Sequence, residues 1–248
     1  MLGPRRRRLV FPALVILLGA SVMAAVAFGS VWVSPWTSIR LMGWKLHLVG
    51  RPNVDRSLEV ILFQLRLPRV LLAALVGAAL AAAGAVFQAL FRNPMADPAI
   101  IGVSSGAALG AIAVILAGGG AALGGMGVSG AAFVGALATA FLVYRLSRLG
   151  PRVQVATLLL AGIAVAAIIS AAISLLMTFS GEQIRSIYFW LLGGLGARGW
   201  QSLSASAPFV AVGVVAAMAS VGDLNLTALG EERAAQLGLE VERFKRLM

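Results

Sequence analysis

The stretch Val70–Phe91, VLLAALVGAALAAAGAVFQALF, decides what kind of molecule this is. It holds no charged residue, and Arg69 and Arg92 bound it at its two ends. A hydrocarbon core about 30 Å thick is crossed by about 20 apolar residues in a helix, which satisfies every backbone hydrogen bond away from water. The stretch therefore reads as a membrane span. The pattern recurs on both sides of it. Upstream, the charge-free block after Arg5–Arg8 predicts a span over about 9–33. Downstream, the block Ala99–Tyr144 is long enough for two spans, about 99–117 and 130–147. The turn between them is expected among Gly118, Gly119, Gly120, Gly124, Gly125, Gly127 and Gly130. Two further blocks predict spans over 154–179 and 201–222. The expected fold is an all-α, polytopic transmembrane bundle of about six spans over residues 1–222, with a polar cytoplasmic segment over 223–248.

Composition points the same way. The 248 residues are 60% hydrophobic and 12% charged, with a mean hydropathy of +0.96. Soluble domains carry about 25% charged residues, so an ordinary soluble enzyme and a disordered chain are both excluded. Cysteine is absent, which removes disulfides, thiolate metal sites and a cysteine nucleophile. A net charge of +11 would suggest nucleic acid in a soluble protein. Here the basic residues flank apolar blocks, where they set topology and meet lipid headgroups, so no nucleic-acid partner is expected. An even number of spans puts both termini on one side, and Arg5–Arg8 makes that side the cytoplasm. Twelve of the 20 basic residues then lie inside and eight outside. The same arginines, the apolar run and Ala25-Val26-Ala27 also resemble a signal peptide. The run is longer than a usual signal core, so a retained span is favoured.

None of the charge-free blocks behind these spans contains Asp, Glu, Lys, Arg or His; Arg145 enters only at the end of the span drawn to 147. That argues against a proton-coupled carrier, though not against one that coordinates sodium through backbone carbonyls. The two lysines, Lys45 before Leu46 and Lys245 before Arg246, lie outside any P-loop pattern. Active transport would need its energy from another subunit. The single histidine, His47, cannot build a metal site alone. No catalytic residue, metal ligand or cofactor is expected. Gly77, Ala81 and Gly84, and Ala161, Gly162 and Ala166, read as close helix-packing positions. Asn93-Pro94 and Asp97-Pro98 break the chain between two helices, with Pro98 opening the third.

The segments Arg66-Leu67-Pro68-Arg69, Arg92-Asn93-Pro94-Met95-Ala96-Asp97-Pro98, Gly102-Val103-Ser104-Ser105-Gly106-Ala107 and Tyr188 to Gly196 recur in order around these spans. They are followed by Asn225-Leu226, Leu229-Gly230-Glu231-Glu232, Ala235, Leu237, Gly238 and Val241. From about Trp32 onward the chain resembles the FecCD family, the permeases of type II ABC importers for ferric siderophores, haem or vitamin B12. The resemblance implies a homodimer with a second permease copy, its pore at the two-fold interface, in a bacterial inner membrane. It also implies ABC ATPase subunits beneath and a periplasmic or lipid-anchored substrate-binding protein above. A bulky iron chelate is the first substrate expected. A vitamin B12 permease and a stand-alone secondary carrier are the alternatives.

Arg66 and Arg69, three residues apart at the outer end of the second span, share a helix face. The resemblance makes them docking residues for the binding protein; snorkelling anchors are the other reading. Leu229, Gly230, Glu231, Glu232, Arg233, Ala235, Leu237 and Gly238 correspond to the coupling helices that grip the ATPase. Read by themselves, Glu231 and Glu232 favour a helix start and Gly238 a left-handed helix end, while Ala235 and Leu237 offer a small apolar surface. An amphipathic helix on lipid is the alternative, which the acidic start makes less attractive. Gly181 to Trp200 resembles the family's short external helix, its aromatics either an interface belt or an entrance lining. Family members continue for about four more spans, so the resemblance implies a chain incomplete at its C-terminus.

Overall fold

The computed structural model describes residues 4–29, 31–119, 124–149, 152–153, 155–196 and 198–247. Gly120 of the expected glycine turn and Gln154 of the expected fifth span lie outside the described residues. The helices in chain order are α1 (Pro4–Ala27), α2 (Pro35–Lys45), α3 (Arg56–Val60) and α4 (Leu67–Phe91), then α5 (Val103–Leu116) and α6 (Gly124–Leu146). They continue as α7 (Val155–Thr178), α8 (Ile184–Leu192), α9 (Trp200–Ala219), α10 (Val221–Ala228), α11 (Glu231–Gln236) and α12 (Val241–Leu247). A π turn, Ile61–Arg66, joins α3 to α4, and a 3-10 turn, Pro98–Ile101, precedes α5. A hairpin pairing Arg148 with Val153 and Leu149 with Arg152 links α6 to α7.

Among the described residues, five stretches are long and apolar enough to cross a membrane: Leu9–Ala27, Arg56–Phe91, Met126–Leu146, Val155–Thr178 and Trp200–Ala219. At most 22% of any of them is buried inside the chain. Their apolar side chains face outward, as a lipid-facing surface requires. The third expected span is shorter than a full crossing. Its helix α5 has 14 residues, about 21 Å. It starts at Val103 and not near 99, for a local reason. The Asp97 carboxylate accepts from the Ala99 N–H at 2.7 Å, Pro98 opens a 3-10 turn, and Gly102 at φ +78° redirects the chain. The second expected span is longer than its charge-free block, because the helical path begins at Arg56. α1 stops at Ala27, short of 33, and α9 stops at Ala219 before α10 opens a separate helix.

The chain divides into two compact units, Met1–Gly77 with Leu195–Phe209, and Ala78–Gly194 with Val210–Met248. The first is built around Val26, Leu41 and Leu62, with Trp44, Val54, Phe63 and Val70 packed on them. In the second, α5 and α6 pack backbone to backbone. Gly106 and Gly110 of α5 face Ala131, Gly135 and Thr139 of α6, and a Cβ on Gly106 would stand 2.5 Å from the Gly135 carbonyl. Gly162 of α7 likewise receives the backbone of Ile100 and Ile101, its Cβ position 2.6 Å from the Ile100 oxygen. The sequence reading of Gly162 therefore has a direct partner. That of Gly77 and Gly84 does not: no atom of this chain comes within 4 Å of a Cβ at either.

Candidate docking end and coupling segment

In the first unit the end of α1 is closed from a distance. The last carbonyls of a helix have no intrahelical donor and carry the negative end of its dipole. α1 has no basic residue in its last turn. Arg66, at the end of the π turn, supplies the charge. Its Nη1 donates to Val26 O at 2.7 Å and to Ala27 O at 2.9 Å, and its Nη2 donates to Val31 O. The guanidinium, with its fork of five N–H donors, suits this cluster of carbonyls. Gly29 leaves it room: a Cβ there would stand 2.6 Å from Nη2. Arg66 is consequently only 8% exposed. In this chain its charge is engaged by the carbonyls of Val26, Ala27 and Val31. Arg69 is half-buried, with its Nε enclosed and without a hydrogen-bond partner. The π turn is also held by Trp200, whose Nε1 donates to Phe63 O at 2.8 Å.

The exposed cations of this unit include Arg40, Lys45, Arg51 and Arg56. Lys45 and Arg51 flank Glu59, at 3.8 and 3.5 Å, and both lie over the Trp44 ring, 5.2 and 5.1 Å from its centroid. Sequence reasoning counted these residues only as part of a basic excess, because their pairing is made by tertiary contact. Trp44-Lys45 was the one local hint. Among the described residues, no group of three or more His, Cys, Asp or Glu gathers to hold a metal.

In the second unit, α10, α11 and α12 form a polar block. Gly230 joins α10 to α11 at φ +110° and ψ 147°, a conformation for which glycine is needed. Glu231 and Glu232 occupy the first turn of α11, and Arg233 flanks its end. Gly238, at φ +91°, closes α11: its N–H donates to Ala235 O, and the Leu239 N–H to Ala234 O, both at 3.0 Å. Leu229, Ala235 and Leu237 are exposed, whereas Ala234 is fully buried. The block is tied together by Lys245 of α12, whose Nζ is 2.7 Å from Glu231 Oε1 and 3.6 Å from Glu242 Oε1. It is anchored on α4 through Val86, Leu224 and Phe244, with Leu90, Ala217 and Leu239 around them. The eight residues expected from Leu229 to Gly238 thus lie together in one block. Lys245, Phe244 and Ala234 were missed, since nothing local marks a lysine fourteen residues from its partner Glu231.

A rigid turn leaves α4 beside this block. Arg92 adopts φ +48°, its N–H donating to Ala89 O and the Asn93 N–H to Gln88 O. The Asn93 side chain accepts from the Met95 N–H at 2.9 Å, and Asp97 caps the 3-10 turn that Pro98 opens. Asn93, Pro94, Asp97 and Pro98 act here as structural punctuation.

Apolar helices long enough to cross a membrane, joined to an anchored polar helical block, define a multi-pass membrane protein. The FecCD transport family matches residues 15–248. The chain is 45% identical over 196 residues to the cobalamin import system permease protein BtuC of Halobacterium salinarum, covering 79% of this chain and 52% of that one. It is 36% identical over 245 residues to the vitamin B12 import system permease protein BtuC of Klebsiella pneumoniae, covering 98% and 68%. It is 35% identical over 248 residues to the hemin transport system permease protein HmuU of Yersinia pestis, covering 99% and 71%. A solved inward-facing metal-chelate type ABC transporter superposes with a TM-score of 0.80 at 29% identity, over 96% of this chain and 70% of that one. The chain belongs to the FecCD transport family. It spans about half the length of the halobacterial relative, 52%, and about two thirds of the Klebsiella one, 68%.

Proposed function

We propose that the chain is the membrane-spanning permease part of an ATP-driven importer of type II, carrying a bulky metal chelate into the cell. It does no covalent chemistry. ATP is hydrolysed on separate ABC ATPase subunits, and the permease works as a pair of copies in a bacterial inner membrane with its N-terminus in the cytoplasm. The observation that carries this reading is the family match running through α10–α12. That block is anchored on α4 yet leaves Leu229 and Leu237 exposed beside Glu231, Glu232 and Arg233. An exposed apolar pair ringed by charge suits a groove on a protein partner better than an anionic lipid surface. A substrate-binding protein would dock at the end carrying Arg69, Arg40 and Arg56, with Arg66 supporting the surface from within.

The ligand class is a bulky metal chelate: an iron chelate such as haem or a ferric siderophore, or cobalamin. Relatives named for cobalamin or vitamin B12, at 45% and 36% identity, favour cobalamin as the particular ligand. The test of the coupling role is co-purification of a co-expressed ABC ATPase of the same importer class, with Leu229→Asp and Leu237→Asp together. The ATPase should bind the unsubstituted permease and be lost from the double variant. Retention by the double variant would contradict the assignment.

A further inference from the structure

Two residues of positive φ, one of them strained, meet in the second unit. Arg92 ends α4 in the left-handed region, at φ +48°, where a side chain with a Cβ is sterically disfavoured. Gly or Asn would end the helix there more readily. Its Nη1 lies 3.3 Å from where a Cβ on Gly230 would stand, against the residue that joins α10 to α11. Gly230 is itself at φ +110° and is buried. Backbone strain of this kind, with the side chain reaching the joint of the coupling block, motivates a hypothesis of a role beyond stopping the helix.

The turn that Arg92 begins is stiff from end to end. Asn93 and Asp97 each bind a backbone N–H two residues on, and Pro98–Ile101 is a closed 3-10 turn. Its far end is locked on α7. The backbone of Ile100 and Ile101 sits in the space left by Gly162, and Gly102, at φ +78°, faces Ala166. A contiguous run of packed groups therefore leads from the joint of the coupling block, Gly230, through Arg92 and the turn, to the crossing helix α7. Within the same unit Val165 and Ile169 of α7 cluster with Ile101 of the turn and Val143 of α6, with Val103 and Leu109 of α5 packed against them.

We infer that Arg92 is a positioning residue that relays movement of the coupling block at Gly230 through the turn Asn93–Gly102 into α7. The inference rests on the proposed function, because the movement it relays is that of an ATPase-driven block. It requires the Arg92 side chain, whereas a plain helix stop requires only the left-handed backbone. The two roles therefore separate by substitution. Arg92→Gly and Arg92→Asn keep or ease the backbone and delete the relay; Arg92→Lys keeps the strain, the charge and most of the length.

The experiment uses the complete permease, assembled with its ATPase and binding protein in phosphatidylethanolamine–phosphatidylglycerol vesicles. The probes are radiolabelled cyanocobalamin, hemin and a ferric hydroxamate, offered in turn. Uptake and ATP hydrolysis are measured together, with the thermal midpoint of each variant. In Arg92→Gly and Arg92→Asn, ligand moved per ATP should fall roughly tenfold, with ATPase binding retained and the midpoint unchanged or raised. Arg92→Lys should fall between these and the unsubstituted protein. Both small variants coupling as well as the unsubstituted protein would overturn the relay while leaving the proposed function standing. Loss of ATPase binding in them would also overturn it, making Arg92 a docking residue. Uptake by the unsubstituted permease without any ATPase would overturn the proposed function and the relay with it.

Discussion

Arg66 donates to the carbonyls that α1 leaves open at Val26 and Ala27, and to Val31 O beyond the helix, 35 to 40 residues away in sequence. A buried acceptor left without a donor costs about 1–3 kcal/mol, and here several depend on one side chain. Arg66→Leu should lower stability by roughly 3 kcal/mol, read as a clear fall in the detergent-solubilised thermal midpoint; an unchanged midpoint would contradict the capping role. Gly29→Ala should act in the same direction, since its Cβ would displace the guanidinium. Arg69→Glu, by contrast, should leave the midpoint nearly unchanged and weaken binding-protein docking most at low salt. In the coupling block, Lys245→Glu should cost about 1–2 kcal/mol, and adding Glu231→Lys should recover most of it; a double variant no better than the single would remove the pair from the account. These residues also show where sequence stops being informative. The Arg66/Arg69 spacing is visible as a helix face, but which of the two faces inward depends on α1, which no local pattern reveals. The acidic start of α11 and the glycine at 238 are local chemistry, and they could be read directly.

At the scale of elements, apolar blocks announce themselves while their partners do not. Val70–Phe91 is charge-free and long, so its helix is evident from composition. Its continuation back to Arg56 was hidden by Glu59 and Arg66, whose charges are accommodated by Lys45, Arg51 and the α1 carbonyls. Small residues were equally visible on α4 and on α5, but Gly106 and Gly110 of α5 meet the backbone of α6, whereas no atom of this chain comes within 4 Å of a Cβ at Gly77 or Gly84. Gly106→Val should force α5 and α6 apart and destabilise by about 1–3 kcal/mol or more. Gly77→Ala and Gly84→Ala should instead be neutral or slightly stabilising in the isolated chain, by up to about 1 kcal/mol each from helix propensity. A thermal midpoint series on these three variants checks both halves; equal losses at all three would refute the packing described for α5 and α6. The short α5 has the same lesson. The block Ala99–Tyr144 predicts two helices, but the Asp97 cap and the left-handed Gly102 decide where the first begins.

At the scale of the whole molecule, the apolar surface of the five candidate crossing stretches among the described residues needs lipid, and the polar block α10–α12 needs water, which the proposed function puts on the cytoplasmic side. With no native cysteine, a single Gln236→Cys variant reports the side directly. It should resist a membrane-impermeant thiol reagent in intact cells and react after permeabilisation; labelling in intact cells would reverse the topology. The claim on which the rest depends is that transport is driven by a separate ATPase gripping this block. The direct measurement is uptake of cobalamin, hemin or a ferric chelate into vesicles holding the complete permease, with and without the ATPase and ATP. Uptake should appear only when the ATPase, ATP and binding protein are all present, whereas equal uptake in their absence would contradict the account.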